Sequence, residues 1–144
     1  QFAYQALAID ERRRHFRAAL WSQQEDAPES QVLEQVWFIG VHSNIGGGYQ
    51  RRGLSDIALS WMADKARACG LGLGDMELNP LANEELDESR RGAYRLLSPY
   101  RRPLGSPAEG RTNESLHPSV LERYKADPGY RPSNLLAFMA RESS

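Results

Sequence analysis

The sequence predicts an α/β fold on three observations: a nearly continuous apolar run over residues 36–41, three consecutive glycines at Gly46, Gly47 and Gly48, and a helical pattern opening near Leu54. An apolar run rich in β-branched and aromatic residues suits a strand covered on both faces, as in a parallel sheet. Strand, glycine-rich turn and helix in succession form the unit from which α/β proteins are built. With 144 residues, 40% of them hydrophobic, the chain has apolar material for one modest core and not for a second independent domain.

Taken in order, residues 2–9 are expected to form a short helix with Phe2, Tyr4, Ala6 and Ile9 partly buried, ending near Asp10 and Glu11. Residues 11–20 carry no decisive pattern, and residues 22–30 are polar, contain Pro28 and read as a loop. The strand at 36–41 follows. Its successor, His42-Ser43-Asn44-Ile45-Gly46-Gly47-Gly48-Tyr49, reads as a turn, because three glycines offer no side chains to pack and cost the most entropy to order in a strand.

The helix that follows has Ser55 as its expected N-cap, Ile57, Ala58, Trp61, Met62, Lys65 and Ala66 at helical spacing, and Gly70 as its stop. Trp37, Phe38, Ile39, Trp61 and Met62 are expected to be mostly buried where strand and helix meet. On that basis Trp61→Ala should cost about 3–5 kcal/mol. Residues 72–86 show little periodicity, and seven prolines from Pro80 onward break the remainder into short pieces. Residues 89–97 and 118–126 are the helical candidates there, the second with Pro118 in a first-turn position where its missing N–H costs nothing. Residues 98–115 read as loop.

Charge and composition exclude several function classes. Eighteen Lys+Arg against nineteen Asp+Glu leave a formal charge of −1, which gives no long-range attraction to nucleic acid or to an anionic membrane. Arginine pairs such as Arg51-Arg52 and Arg101-Arg102 read mainly as solvated faces, with an anion site as the alternative. The single Cys69 excludes an internal disulfide and, beside apolar residues in a helical pattern, is expected to be a buried thiol. No apolar run approaches the ~20 residues that span a bilayer, and the N-terminus lacks a signal-peptide pattern. The chain opens on Gln1 and enters an apolar run at once, so it is expected to be a piece of a longer protein.

Three histidines are available for chemistry. His42 stands at the carboxyl end of the predicted strand, where open α/β sheets bind ligands, and an imidazole there can serve as a general base or as a turn residue bonded to nearby backbone. His15 lies in an arginine-rich stretch and reads as solvated. His117, held extended before Pro118, serves either helix entry or, as an alternative to His42, catalysis. No metal-ligand spacing joins these residues to one another or to Cys69, so neither a metal nor a cofactor is expected. Walker and dinucleotide glycine motifs are missing too. No Gly-x-Ser-x-Gly elbow occurs, and Ser43 is a poor nucleophile candidate, because side chains adjacent in extended backbone point to opposite faces and Ser43 adjoins His42.

The block from Val36 to Tyr49, continued by Gly53-Leu54-Ser55-Asp56-Ile57-Ala58-Leu59-Ser60-Trp61-Met62, resembles an α/β-hydrolase-like family that includes type VI secretion phospholipase effectors. The likeness begins near Tyr4-Gln5-Ala6-Leu7-Ala8-Ile9-Asp10-Glu11-Arg12-Arg13 and resumes around Tyr94-Arg95-Leu96-Leu97, His117-Pro118-Ser119 and Tyr130-Arg131-Pro132. It implies that the chain is the C-terminal part of an α/β-hydrolase-like domain, a partial fold of buried strand, glycine-rich turn and helix followed by loop-rich short helices. It also implies a serine, aspartate, histidine chain order in which His42 is the catalytic base. Asn44 stands where members commonly carry aspartate, and Gly46 to Gly48 would let the turn approach substrate.

On this resemblance the serine and aspartate elements lie before Gln1, and the chain alone, lacking a nucleophile, is inactive on esters. The implied partners are the upstream part of the same protein, a lipid substrate and a secretion-system component, with no nucleic acid. The implied location is the cytoplasm of the producing cell, with secretion as an effector. The competing reading is a non-catalytic module that completes a fold or contacts a partner.

Overall fold

The computed structural model describes residues 1–105 and 111–142. A three-stranded parallel sheet in the order β1-β2-β3 organises them. Strand β1 spans Phe2–Ala8 and β2 spans Val32–Phe38, paired residue for residue from Phe2 opposite Val32 to Ala8 opposite Phe38. A short helix α1 (His42–Gly46) and a long helix α2 (Gly53–Ala68) follow β2. Strand β3 (Glu114–Leu116) then pairs with the other edge of β2, and helices α3 (Pro118–Ala126) and α4 (Ser133–Glu142) close the chain.

Strand β2 is the middle strand, and its sequence explains why. Trp37 and Phe38 are fully buried, with Val36 and Ile39 almost so, as a strand covered on both faces requires. Phe38 and Trp61 of α2 meet edge to face with ring centroids 5.6 Å apart. On the opposite face the buried Gln35 clamps the backbone: its Oε1 accepts the Trp21 N–H at 2.8 Å, and its Nε2 donates to the Trp21 and Thr112 carbonyls. Trp37 Nε1 donates to Glu114 at 2.9 Å, which ties β3 to the centre.

Several expectations are corrected. The helix expected over residues 2–9 is a strand over Phe2–Ala8, because pairing along all of β2 outweighs the helix preference of its alanines. The strand predicted at 36–41 is real but begins at Val32 and ends at Phe38. The segment expected to be a glycine turn starts as a helical turn, α1, and only Gly47, at φ +73°, turns the chain out of it. Helix α2 is preceded by Arg52 at the N-cap; Ser55 lies inside the first turn and donates its hydroxyl to the Arg52 carbonyl at 3.0 Å. Its end is as expected, since Gly70 N–H bonds Arg67 O at 2.9 Å and Leu71 N–H bonds Ala66 O at 3.0 Å, the paired bonds of a left-handed glycine cap.

Trp61 and Met62 are half-buried, unlike Trp37, Phe38 and Ile39. Cys69 is exposed and stands at the cap just past the end of α2 at Ala68. Residues 118–126 form α3 with Pro118 in its first turn, while the 89–97 candidate is only a 3-10 turn over Gly92–Leu96. The loop expected at 98–115 gives way to β3 at Glu114; its residues 106–110 lie outside the described residues. Helix α4, which buries Leu135 and Phe138, has no counterpart among the expected elements.

Candidate functional site

The parallel pairing of β1 and β2 brings residues about thirty positions apart in the chain to one corner beyond the strands' carboxyl ends, the place where such sheets hold ligands. Ile9 N–H still bonds Phe38 O, and Asp10 N–H bonds Gly40 O, both at 3.0 Å. Gly40 then turns the chain with φ +112°, a conformation that a side chain would resist. A Cβ at this position would also lie 2.6 Å from Asn44 Cβ. Turn and asparagine are thus fitted to each other.

Asn44 is buried in α1. Its Oδ1 accepts the Val41 N–H at 3.0 Å, a side chain reaching back to cap its own helix. Its Nδ2 donates to Asp87 Oδ2 at 3.1 Å. Asp87 in turn holds Arg51 at 3.1 Å, so the acidic loop after α2 is fastened to the start of α1.

His42 is exposed at the first position of α1. Its ring meets Phe16 edge to face at 5.2 Å and lines a cavity of about 320 Å³ that also reaches Ala8, Ile45 and Gly46. Gly46, Gly47 and Gly48 border a second cavity of about 590 Å³, across from Leu59 and Met62 of α2. Ser43, being helical, points about 100° around the axis from His42, so the extended-backbone argument against it does not apply. The structure gives it no hydrogen bond to an imidazole, and its Cβ lies against the position of Gly48.

Two acids at the end of β1 stand at this corner, and sequence reasoning assigns neither a role. Glu11 is buried; its two oxygens take Arg13 side-chain donors at 2.9 and 2.8 Å, and Oε2 also accepts the His42 backbone N–H at 3.2 Å. Burial alone would push this carboxyl up, but the hydrogen bonds from Arg13 and His42 outweigh it and bring it down to about 2. Asp10 Oδ2 accepts Gly40 N–H at 2.7 Å and the Tyr130 hydroxyl at 3.1 Å. Here burial prevails and pushes the carboxyl up, against those two bonds. The signal that could have found both acids is parallel register, which a single sequence does not display.

His117 is elsewhere, at the end of β3. Its Nδ1 accepts the Ser119 N–H at 3.3 Å and lies 2.8 Å from Ser119 Oγ, so it caps α3. Its ring stacks on Phe38 at 4.6 Å, and burial lowers its pKa. His15 is exposed, as expected. Among the described residues no cluster of His, Cys, Asp or Glu could hold a metal ion, and no helix is long and apolar enough to cross a membrane.

Residues 1–65 match the family model described as the catalytic domain of Tle1-like phospholipase effectors of type VI secretion systems. The match begins with β1, takes in the His42 corner and ends inside α2. No curated protein and no solved structure matches the chain.

Proposed function

We propose, on the match of residues 1–65 to the family model of Tle1-like phospholipase effector catalytic domains, that the chain is the histidine-bearing C-terminal part of a serine-dependent phospholipid hydrolase. The observation that carries this reading is the position of His42: first residue of the helix after the middle strand of a parallel sheet, its ring in a cavity at the carboxyl end of the neighbouring strand. In this reading His42 takes the proton of a serine hydroxyl as it attacks the acyl carbonyl, then returns it to the leaving alcohol.

Asp10 supplies the acid. It precedes His42 in the chain, follows a strand, and keeps Oδ1 without a hydrogen-bond partner among the described residues. Glu11 is less suited, since Arg13 and the His42 backbone already occupy both of its oxygens. This reading moves the acid from before Gln1 into the chain, while the serine stays outside it. His117 is disfavoured as the base because Nδ1 is committed to Ser119. Asn44 fixes the turn, and Gly47 carries its positive φ.

The serine-bearing segment would pair with β1, the edge strand nearest His42. The chain alone should be inactive, since a base without a nucleophile forms no acyl intermediate. The test is phospholipid hydrolysis by the full-length parent with His42→Ala, Asp10→Asn and His117→Ala at matched folding. Loss of activity on His42→Ala, with His117→Ala active, is expected, and Asp10→Asn should lower kcat by something on the order of 10³–10⁴. Full activity of His42→Ala would leave the competing reading, a non-catalytic module that completes a fold.

A further inference from the structure

We propose that Arg102 and Arg17 form an anion site beside His42 that takes the phosphodiester of a phospholipid; the lipid identity rests on the function proposed above, the anion site does not. Arg102 is buried, with 5% of its surface exposed. Its Nη1 donates to Ala8 O at 2.8 Å and its Nη2 to Phe16 O, while Nε has no partner. A guanidinium presents five donors and keeps its charge under all ordinary conditions, so most of its donors remain unused. Among the described residues no carboxylate lies within ion-pair distance of it. Glu11, whose charge acts on Arg102, is already engaged by Arg13. A buried cation that accepts no carboxylate in a direct ion pair among the described residues, and spends its bonds on carbonyls, is costly unless an anion arrives.

The position of Arg102 indicates where that anion would sit. It lines two adjoining cavities, one of about 320 Å³ containing His42 and one of about 620 Å³ bounded by Trp37 and Tyr100. Arg17 lines both as well; it is exposed and has no acidic partner among the described residues. Two arginines that line both of two adjoining cavities suit an anion with a substituent on either side. A phosphodiester has this form: two non-bridging oxygens that share one negative charge for the arginines, a glyceryl ester directed toward His42 and a headgroup in the larger cavity. A free carboxylate has only one substituent, and inorganic phosphate has none.

The test is titration of the chain, followed by calorimetry, with glycerophosphocholine, inorganic phosphate and butyrate. Glycerophosphocholine is expected to bind more tightly than the other two. Arg17→Ala and Arg102→Lys should each weaken it about tenfold, the effect of one charge-assisted hydrogen bond, while Lys125→Ala on α3 should leave it unchanged. Because Arg102 is buried and its replacement can perturb folding, exposed Arg17→Glu provides the second variant and should abolish binding in a fold with unchanged melting.

Absence of glycerophosphocholine binding, or binding unaffected by Arg17→Glu, overturns the proposal. Tighter binding of inorganic phosphate would instead identify a free-phosphate site, and tighter binding of butyrate a carboxylate site; either overturns the lipid assignment. None of these readouts needs catalysis, so an active His42→Ala parent would sink the hydrolase reading without touching the anion site.

Discussion

Asn44 Nδ2 stands 3.1 Å from Asp87 Oδ2, and this amide-to-carboxylate bond joins the first turn after β2 to the acidic loop beyond α2. An aspartate at position 44 would set two carboxylates against each other there. Asn44→Asp should therefore lose about 1–3 kcal/mol of stability at pH 7, the cost of an unmet buried polar contact. The loss should shrink on acidification, because one proton shared by the pair restores the bond. Denaturant melts of the variant at pH 7 and pH 4 check this; equal stability to wild type at pH 7 would count against the role given to Asn44.

Gly40 offers a sharper structural test. Its φ of +112° and the 2.6 Å that would separate an added Cβ from Asn44 Cβ act together, so Gly40→Ala should cost about 2–4 kcal/mol, above the usual range for a surface substitution. Thermal melting would measure it. A loss below about 0.5 kcal/mol would mean that the corner is more yielding than its geometry implies.

Glu11 makes the fold acid-sensitive. Its folded-state value of about 2 lies below its ordinary 4.5, so the stability it contributes is present above the ordinary value and is lost as pH falls from 4.5 toward 2. Glu11→Gln should flatten this part of the stability profile. An unchanged acid limb in the variant would assign the sensitivity to other groups.

His117 acts in the same direction over a higher range. Burial lowers its pKa from the ordinary 6.5, so the unfolded chain takes up the proton first. Stability is full above 6.5 and declines as pH falls below it. The cause is burial of the ring; a protonated Nδ1 in addition cannot accept the Ser119 N–H, which removes the cap of α3. His117→Asn retains an acceptor without titrating, and should remove the pH dependence that sets in below the ordinary 6.5 in equilibrium unfolding while keeping α3 intact.

Trp61 touches Tyr4 and Phe38 edge to face but is only half-buried. Trp61→Ala should accordingly cost about 2 kcal/mol, below the roughly 3–5 expected for a fully buried tryptophan. Trp37→Ala, at a fully buried position, should exceed it in the same denaturant series.

The elements legible in the sequence are those whose signals are local. Buried β2 announces itself by apolar residues on both faces, α2 by helical spacing and Gly70, and α3 by Pro118. Strand β1 reads as a helix because its alanines favour one until β2 lies beside them. Helix α4 leaves a signal in Leu135, Phe138 and Met139 at helical spacing, which the prolines before it obscure. At the site, His42 and the glycines stand out by position. Asp10 and Glu11 do not, since their closeness to Gly40 and His42 arises from strand register across some thirty residues. Arg102, almost a hundred residues from its acceptor Ala8, is invisible for the same reason.

The pairing of β1 has a practical consequence for handling the chain. Ile9 and Gln1 direct backbone groups at β2, so Phe2, Tyr4 and Ala6, of opposite parity, turn theirs toward the unpaired side, with Phe2 60% exposed. A row of donors and acceptors without strand partners among the described residues, next to the exposed ring of Phe2, is a template on which further copies can stack. Purified by itself, the chain should be prone to concentration-dependent self-association, and a lysine in place of Phe2 is the simplest remedy.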